Sequence, residues 1–390
     1  MANLQGLQSS PELSGRRPDP QHWDAPLIRR LLIHSLPFEA EWSRIESMKP
    51  VYSDLNRCDC TYPSTLDRRS FLKASAVAAA AGAFVSPFRA LAAPSPHDAS
   101  ETLASQLYKS LSPEQRSAVC FDFNHPLRQE TDNNWLITKK SIRELLTADQ
   151  QDLVRQIYRG LHTPEFADRA MEQMIHDSEG KGFEGGVSIA LFGQPGGRGF
   201  EFVLTGRHCT RRCDGDSVEG VAFGGPIFYG HQAGEKDSEP SDHPGNVFWF
   251  QARRVNEVFQ ALDGRQREKA LVDGKGRPER QAATVKLGGR SDGLPGIRVA
   301  DLTKDQRGLV RTVMGDLLSP FRKPDTDEAM KLVEAQGIEN LSLAFFKQGD
   351  LGNDGVWDVW QIEGPDMVWY FRGSPHVHCW VHIRDPKFRV

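Results

Sequence analysis

Four short stretches constrain the fold of this chain more than any other feature. Ser112-Pro113-Glu114-Gln115, Thr147-Ala148-Asp149-Gln150, Asp263-Gly264-Arg265-Gln266 and Thr303-Lys304-Asp305-Gln306 each follow a leucine and each read as a capping box. In such a box the first side chain accepts a bond from an orphan amide of a new helix, and the glutamine three residues on reaches back to the cap. Two of the boxes open segments that match much further. Leu153, Val154, Ile157, Tyr158 and Leu161 share a helical face, and Leu309, Val310, Val313, Met314 and Leu317 take the same places in the later segment. Pro164 and Pro320 fall where these helices should stop, and Asp168–Met171 and Asp327–Met330 correspond on a second helix. Val187–Phe192 and Leu341–Phe346 follow as strands, then Phe200–Thr205 and Val356–Ile362, closed by Gly206 and Gly364.

The expectation is an α+β chain. An antiparallel sheet carries packed helices on one side, built from two pseudo-repeated helix–helix–hairpin halves at about 146–216 and 302–383. Val247–Leu262 reads as a further helix, with Val255, Val258, Phe259 and Leu262 on one face, and the Gly-, Arg- and Pro-rich stretch Asp273–Gly296 as an exposed loop. The glycine run Gly193–Gly199 leads into a strand, whereas a phosphate loop must open a helix to offer its amides, so it reads as a hairpin turn. Gly352–Gly355 is its expected counterpart.

Ahead of these elements stands Asp67-Arg68-Arg69-Ser70-Phe71-Leu72-Lys73, then an alanine-rich run from Ala74 to Val85, then Ala90-Leu91-Ala92. A basic segment, an apolar segment and a small-x-small cleavage site in that order make a signal peptide, and the paired arginines make it of the twin-arginine type. The apolar run is well short of the roughly 20 residues of a membrane span. The expected layout is therefore a non-native or disordered extension over 1–66, a signal over 67–92, and a single mature domain over 93–390 in the periplasm or outside the cell. Met48 is the expected true start. The twin-arginine export machinery is the expected partner, and because that route moves folded proteins, it favours a bound cofactor. With 48 Lys and Arg against 52 Asp and Glu, the net charge is −4, which speaks against a nucleic-acid partner.

Chemistry concentrates near the end of the chain. In Pro375-His376-Val377-His378-Cys379-Trp380-Val381-His382, strand alternation puts His376, His378, Trp380 and His382 on one face. Imidazoles two apart on a strand can converge on one ion, and neutral imidazole suits Cu, Zn or Fe. A third ligand must come from elsewhere: His208, just past a strand end, is the first candidate, with His231 and His243 next. Cys120, Cys209, Cys213 and Cys379 remain in the mature chain; Cys209 and Cys213 would not bridge along one strand. Cys-x-x-Cys, Gly-x-Ser-x-Gly and His-Glu-x-x-His are absent, which removes the common redox, esterase and protease motifs. Arg128 is a candidate anion clamp, and Asp214 and Asp216 are candidate proton carriers. Trp357, Trp360, Trp369, Tyr370 and Trp380 are either core or an aromatic row able to stack on sugars.

Several of these segments together resemble a family of exported bacterial proteins, domain of unknown function 3500. The resemblance rests on Leu111–Arg128 with its Phe-x-Phe-x-x-Pro-x-Arg, Trp135, Leu191–Pro195, Gly206–His208, His376-x-His378 and Arg384-Asp385-Pro386, and covers most of Leu103–Pro386. Gly206-Arg207-His208 departs from the family pattern, in which a second histidine often follows the first. The resemblance implies that His208, His376 and His378 belong together, and it implies no activity. The resulting expectation is an exported metal-dependent enzyme holding a Cu, Zn or Fe ion, an oxidoreductase in preference to a hydrolase. The competing expectation is a non-catalytic envelope protein that binds a glycan or another protein through its aromatic-rich strands.

Overall fold

The computed structural model describes residues 99–388 apart from 198, 216–217, 233–244, 280–282 and 350–353. The expected extension, the signal segment and Met48 lie outside the described residues, as do Asp216 and His243. The helices are α1 Ala99–Ser110, α2 Pro113–Val119, α3 Ile142–Leu145, α4 Ala148–Gly160, α5 Pro164–Asp177, α6 Gly182–Gly186, α7 Phe250–Ala261, α8 Gly264–Ala270, α9 Lys304–Leu317 and α10 Lys323–Gln336. The strands are β1 Cys120–Phe121, β2 Val187–Gly193, β3 Phe200–Gly206, β4 Cys209–Cys213, β5 Ile227–His231, β6 Leu271–Val272, β7 Ile297–Arg298, β8 Ser342–Phe346, β9 Val359–Gly364, β10 Met367–Arg372 and β11 Val377–Ile383.

All four expected capping boxes form, at Ser112, Thr147, Asp263 and Thr303. Their glutamines also reach beyond their own helices. Gln115 Nε2 donates to Gln150 Oε1 at 2.8 Å, and Gln266 Nε2 donates to Gln306 Oε1 at 3.0 Å. Gln150 Nε2 then caps the Ser110 carbonyl at the end of α1, and Gln306 Nε2 caps the Ala261 carbonyl at the end of α7. Pro164 differs from its expected role: it does not stop α4 but sits in the first turn of α5, where a missing amide hydrogen costs nothing.

The strands form one sheet in the order β1-β2-β3-β4-β5-β11-β10-β9-β8-β6, with β7 beside β8. Most neighbours are antiparallel; the two outer pairs, β1 with β2 and β6 with β8, are parallel. β5 and β11 pair at the centre, with Val377 opposite His231 and His378 opposite Gly230. Gly230 has to be glycine, since a Cβ there would meet the Val377 carbonyl oxygen at 2.2 Å. Gly193 turns the β2–β3 hairpin at φ +72, as the sequence implied.

Alternation along the strands sorts side chains between two covers. Ile189, Leu191, Phe202 and Leu204 pack under α1, α4 and α5, against Leu107, Val154, Ile157 and Met174. Trp360, Trp369, Cys379 and Val381 pack under α7, α9 and α10, against Val255, Val313, Met314 and Val333. Each such apolar side chain, fully buried, contributes about 1.5–3 kcal/mol. The helices therefore share one face of the sheet. The opposite face carries long loops: Ile137, Phe123 and Trp135 cover Phe192 and Val203, and Val285 and Leu287 cover Val368, Tyr370 and Trp380. Over its described residues the stretch 273–296 is irregular and largely exposed, as expected, but it lies as a strap on the sheet, where Thr284 and Val285 are buried.

Two covered faces also settle the aromatic set. Trp360, Trp369 and Trp380 are each 0 % exposed, and Tyr370 is buried with them. These rings are core, so the sugar-stacking row considered from the sequence does not form. Among the described residues no helix is long and apolar enough to cross a membrane.

Candidate metal centre

His208 occupies the turn between β3 and β4. Its backbone is left-handed, φ +54, a state uncommon outside glycine in which histidine, asparagine and aspartate are the most frequent exceptions. Two bonds hold it there: its amide donates to the Asn133 carbonyl at 2.7 Å, and its own carbonyl accepts from Gly230 at 3.2 Å. Its ring is buried, with Nδ1 3.0 Å from Oδ2 of Asp177, the last residue of α5.

His376 and His378 come from the start of β11, on the strap-covered face. Their Nε2 atoms lie 2.9 Å apart. The His208 ring centroid is 5.2 Å from that of His376 and 5.1 Å from that of His378. One ring nitrogen from each of the three lies within 4.8 Å of the others. His208 and His378 are buried and His376 is half-buried. Phe228 presents an edge to His378 at 5.2 Å and forms an apolar wall.

The strap supplies the second carboxylate. Glu279 Oε2 makes a very short contact with His378 Nδ1, and its Oε1 accepts from Arg372 Nε at 2.6 Å. Burial pulls the His378 pKa down to about 3 in spite of Glu279, so the imidazole is neutral. Burial alone would raise the Glu279 carboxyl, but His378 and Arg372 hold it well below the usual carboxylate range. Burial also opposes ionisation of Asp177, and hydrogen bonds to His208 and His231 overcome it, leaving that carboxyl below its ordinary value. With Nδ1–H given to a carboxylate, each of His208 and His378 directs the lone pair of Nε2 toward the other rings.

The other expected site residues lie elsewhere. Arg128 Nη1 pairs with Glu201 Oε2 at 2.9 Å, and Arg212 joins the same fully buried carboxylate, so Arg128 neutralises a buried charge. Asp214 follows β4 at the end away from His208, about 20 Å along the strand, and its Oδ2 accepts from the Val218 amide at 2.8 Å in a turn. Neither is within reach of the histidines. His231 ends β5 on the helix-covered face, 3.0 Å from Asp177 Oδ1, and His382 is fixed to the Val285 carbonyl at 2.9 Å. Among the described residues no disulfide joins the cysteines; burial raises the Cys209 thiol to about 11 and that of Cys379 to about 12.

Sequence reasoning missed Asp177 and Glu279. Asp177 is a lone acid at a helix end and Glu279 a lone acid in a loop, so neither belongs to any spaced pattern.

A twin-arginine translocation pathway signal matches residues 65–85, which directs the chain out of the cytoplasm, to the periplasm or the extracellular space. No curated protein and no solved structure matches the chain. One family, described as Protein of unknown function (DUF3500), matches residues 94–388, a span that holds every described strand and all three histidines of the cluster. The chain is therefore a member of that family, with an export signal in front.

Proposed function

We propose that His208, His376 and His378 hold a transition-metal ion and that the exported protein is a metal-dependent enzyme. The observation that carries this reading is the orientation of the rings. Two of the three imidazoles face a carboxylate with Nδ1, the buried Asp177 and the half-buried Glu279, which turns their Nε2 atoms toward His376. Carboxylate–histidine pairs of this kind fix tautomer and ring orientation at metal sites. Three neutral nitrogen donors, with no thiolate among them, suit Zn, Cu or Fe.

Three protein ligands leave a coordination position open, the arrangement of a catalytic rather than a structural centre. Bound there, the ion would supply a Lewis-acidic or redox-active centre. Around it, Phe228 walls one side, Asp177 and Glu279 orient two of the rings, and His378 and Arg372 hold the Glu279 carboxyl below the usual carboxylate range. The half-buried His376 marks the side open to substrate. The strap that carries Glu279 also borders a hollow of about 810 Å³ whose largely apolar lining, Leu287 and Phe346 among it, carries Arg277, Lys286, Arg290 and Glu363 as charged groups, a size suited to a small ligand. Arg128 and Asp214 have no part in this reading. Oxidation is favoured over hydrolysis because twin-arginine export moves proteins already folded around a cofactor.

The reading extends to the architecture. We infer that the domain is an internal duplication, in which β1–β5 correspond to β6 and β8–β11. The strand order is the same read from either edge toward the β5–β11 seam, and the Gln115–Gln150 and Gln266–Gln306 pairs correspond. In the later half the β9–β10 turn places Asp366 where His208 stands, and the amide of Asp366 is bound by Gln336, the last residue of α10, at 3.2 Å. The metal centre occupies only one of the two corresponding corners.

The test is elemental analysis of exported, tag-free protein beside a His376→Ala/His378→Ala variant. Near-stoichiometric Cu, Zn or Fe that is lost or sharply reduced in the variant is expected. Wild-type protein that carries no such metal and takes up none would overturn the proposal.

A further inference from the structure

We propose a second metal site, formed by His176, Asp177 and His231 on the helix-covered side of the sheet. His231 ends β5 on the face shared by Ile227 and Tyr229, opposite the face that carries His378. His176 and Asp177 end α5, which packs on that side. The Asp177 side chain is fully buried, and its Oδ1 lies 3.0 Å from His231 Nδ1 and 3.6 Å from His176 Nδ1. Ligand bonds of about 2.0–2.1 Å at a tetrahedral ion put neighbouring donor atoms roughly 3.3 Å apart, between those two distances. One atom from each of the three residues lies within 4.8 Å of the others, and the His176 and His231 ring centroids are 5.4 Å apart.

The donors are two imidazole nitrogens and one carboxylate oxygen. That set suits Zn2+ or Fe2+, with at least one position left for water or substrate. The cluster meets solvent through His176, whose side chain is 55 % exposed. Asp177 belongs to both sites in different ways. Its Oδ1 faces the new site, while Oδ2 accepts Nδ1–H of His208, whose Nε2 faces the three-histidine centre. The two sites are thus linked through the Asp177–His208 pair, while His231 and His378 lie on opposite faces of the sheet. The second site stands on its own geometry and does not require the first.

Equilibrium binding of Zn2+ to the metal-stripped mature protein, counted by elemental analysis after dialysis, tests this. Wild-type protein binds two equivalents, the His376→Ala/His378→Ala variant retains one, and adding His176→Gln to that variant removes it. His176→Gln alone lowers the wild-type count from two to one; its side chain is 55 % exposed, so the fold is unaffected. One equivalent in the wild type that disappears in the double variant and is indifferent to His176→Gln would overturn the second site and leave the first standing. One equivalent that survives the double variant and is lost with His176→Gln would support the second site and remove the first. No Zn2+ bound to any form would overturn both.

Discussion

Asp177 and Glu279 do for His208 and His378 what the sequence motif alone cannot: they decide which ring nitrogen carries the proton. Replacing either by its amide removes the charge that favours Nδ1–H and allows the ring to turn. Asp177→Asn and Glu279→Gln are each expected to weaken metal binding at the three-histidine centre about 10–100-fold with the fold retained. A competition titration against a chelator measures this, and unchanged affinity in both would remove their orienting role. A second expectation concerns acid. Burial pulls His162 and His378 down to about 3 and His382 to about 4. These rings stay neutral in the fold, while in the unfolded chain they take up protons near pH 6.5. The unfolded state therefore binds more protons below that pH, so stability is fully present above about 6.5 and is lost as pH falls toward 4. Each ring contributes a slope of about 1.4 kcal/mol per pH unit, up to about 4 for the three together. Urea unfolding of the metal-free protein at pH 7 and pH 5 should give a clearly lower midpoint at pH 5, and equal midpoints would contradict the assignment.

At the scale of elements, the capping boxes were legible because everything they need lies within four residues. Thr147→Ala and Thr303→Ala should each cost about 1 kcal/mol, measured by chemical denaturation, since each hydroxyl accepts from the amide of its box glutamine. Gln150→Ala should cost more than Thr147→Ala, because its side chain also bonds Gln115 and the end of α1; an equal or smaller cost would assign no weight to that link. The alternation that put His376, His378, Trp380 and His382 on one face was legible for the same local reason. The partners of those rings were not. Asp177 lies 31 residues before His208, and Glu279 lies 99 before His378, so only the packed chain brings them together. The strap was legible as an irregular, largely exposed segment, but Gly, Arg and Pro do not say what such backbone covers. Arg128 misled because its partner Glu201 is 73 residues away, and a buried ion pair and an anion clamp begin from the same arginine.

For the whole molecule, the decisive contact is the central pairing of β5 with β11. It joins the strands between Cys120 and His231 to those between Leu271 and Ile383 in one sheet, and it brings the β3–β4 turn beside the first residues of the last strand. His208 therefore meets His376 and His378 only after the sheet has closed. Export by the twin-arginine route accords with this order, since a centre completed by the last strand requires a folded chain. The most direct measurement is anomalous diffraction from crystals of the metal-loaded protein, collected at the absorption edge of the ion. A peak about 2.0–2.1 Å from Nε2 of His208, His376 and His378 is the predicted result. Crystals grown with Cu, Zn or Fe that show the three rings in place and no anomalous peak between them would contradict the account.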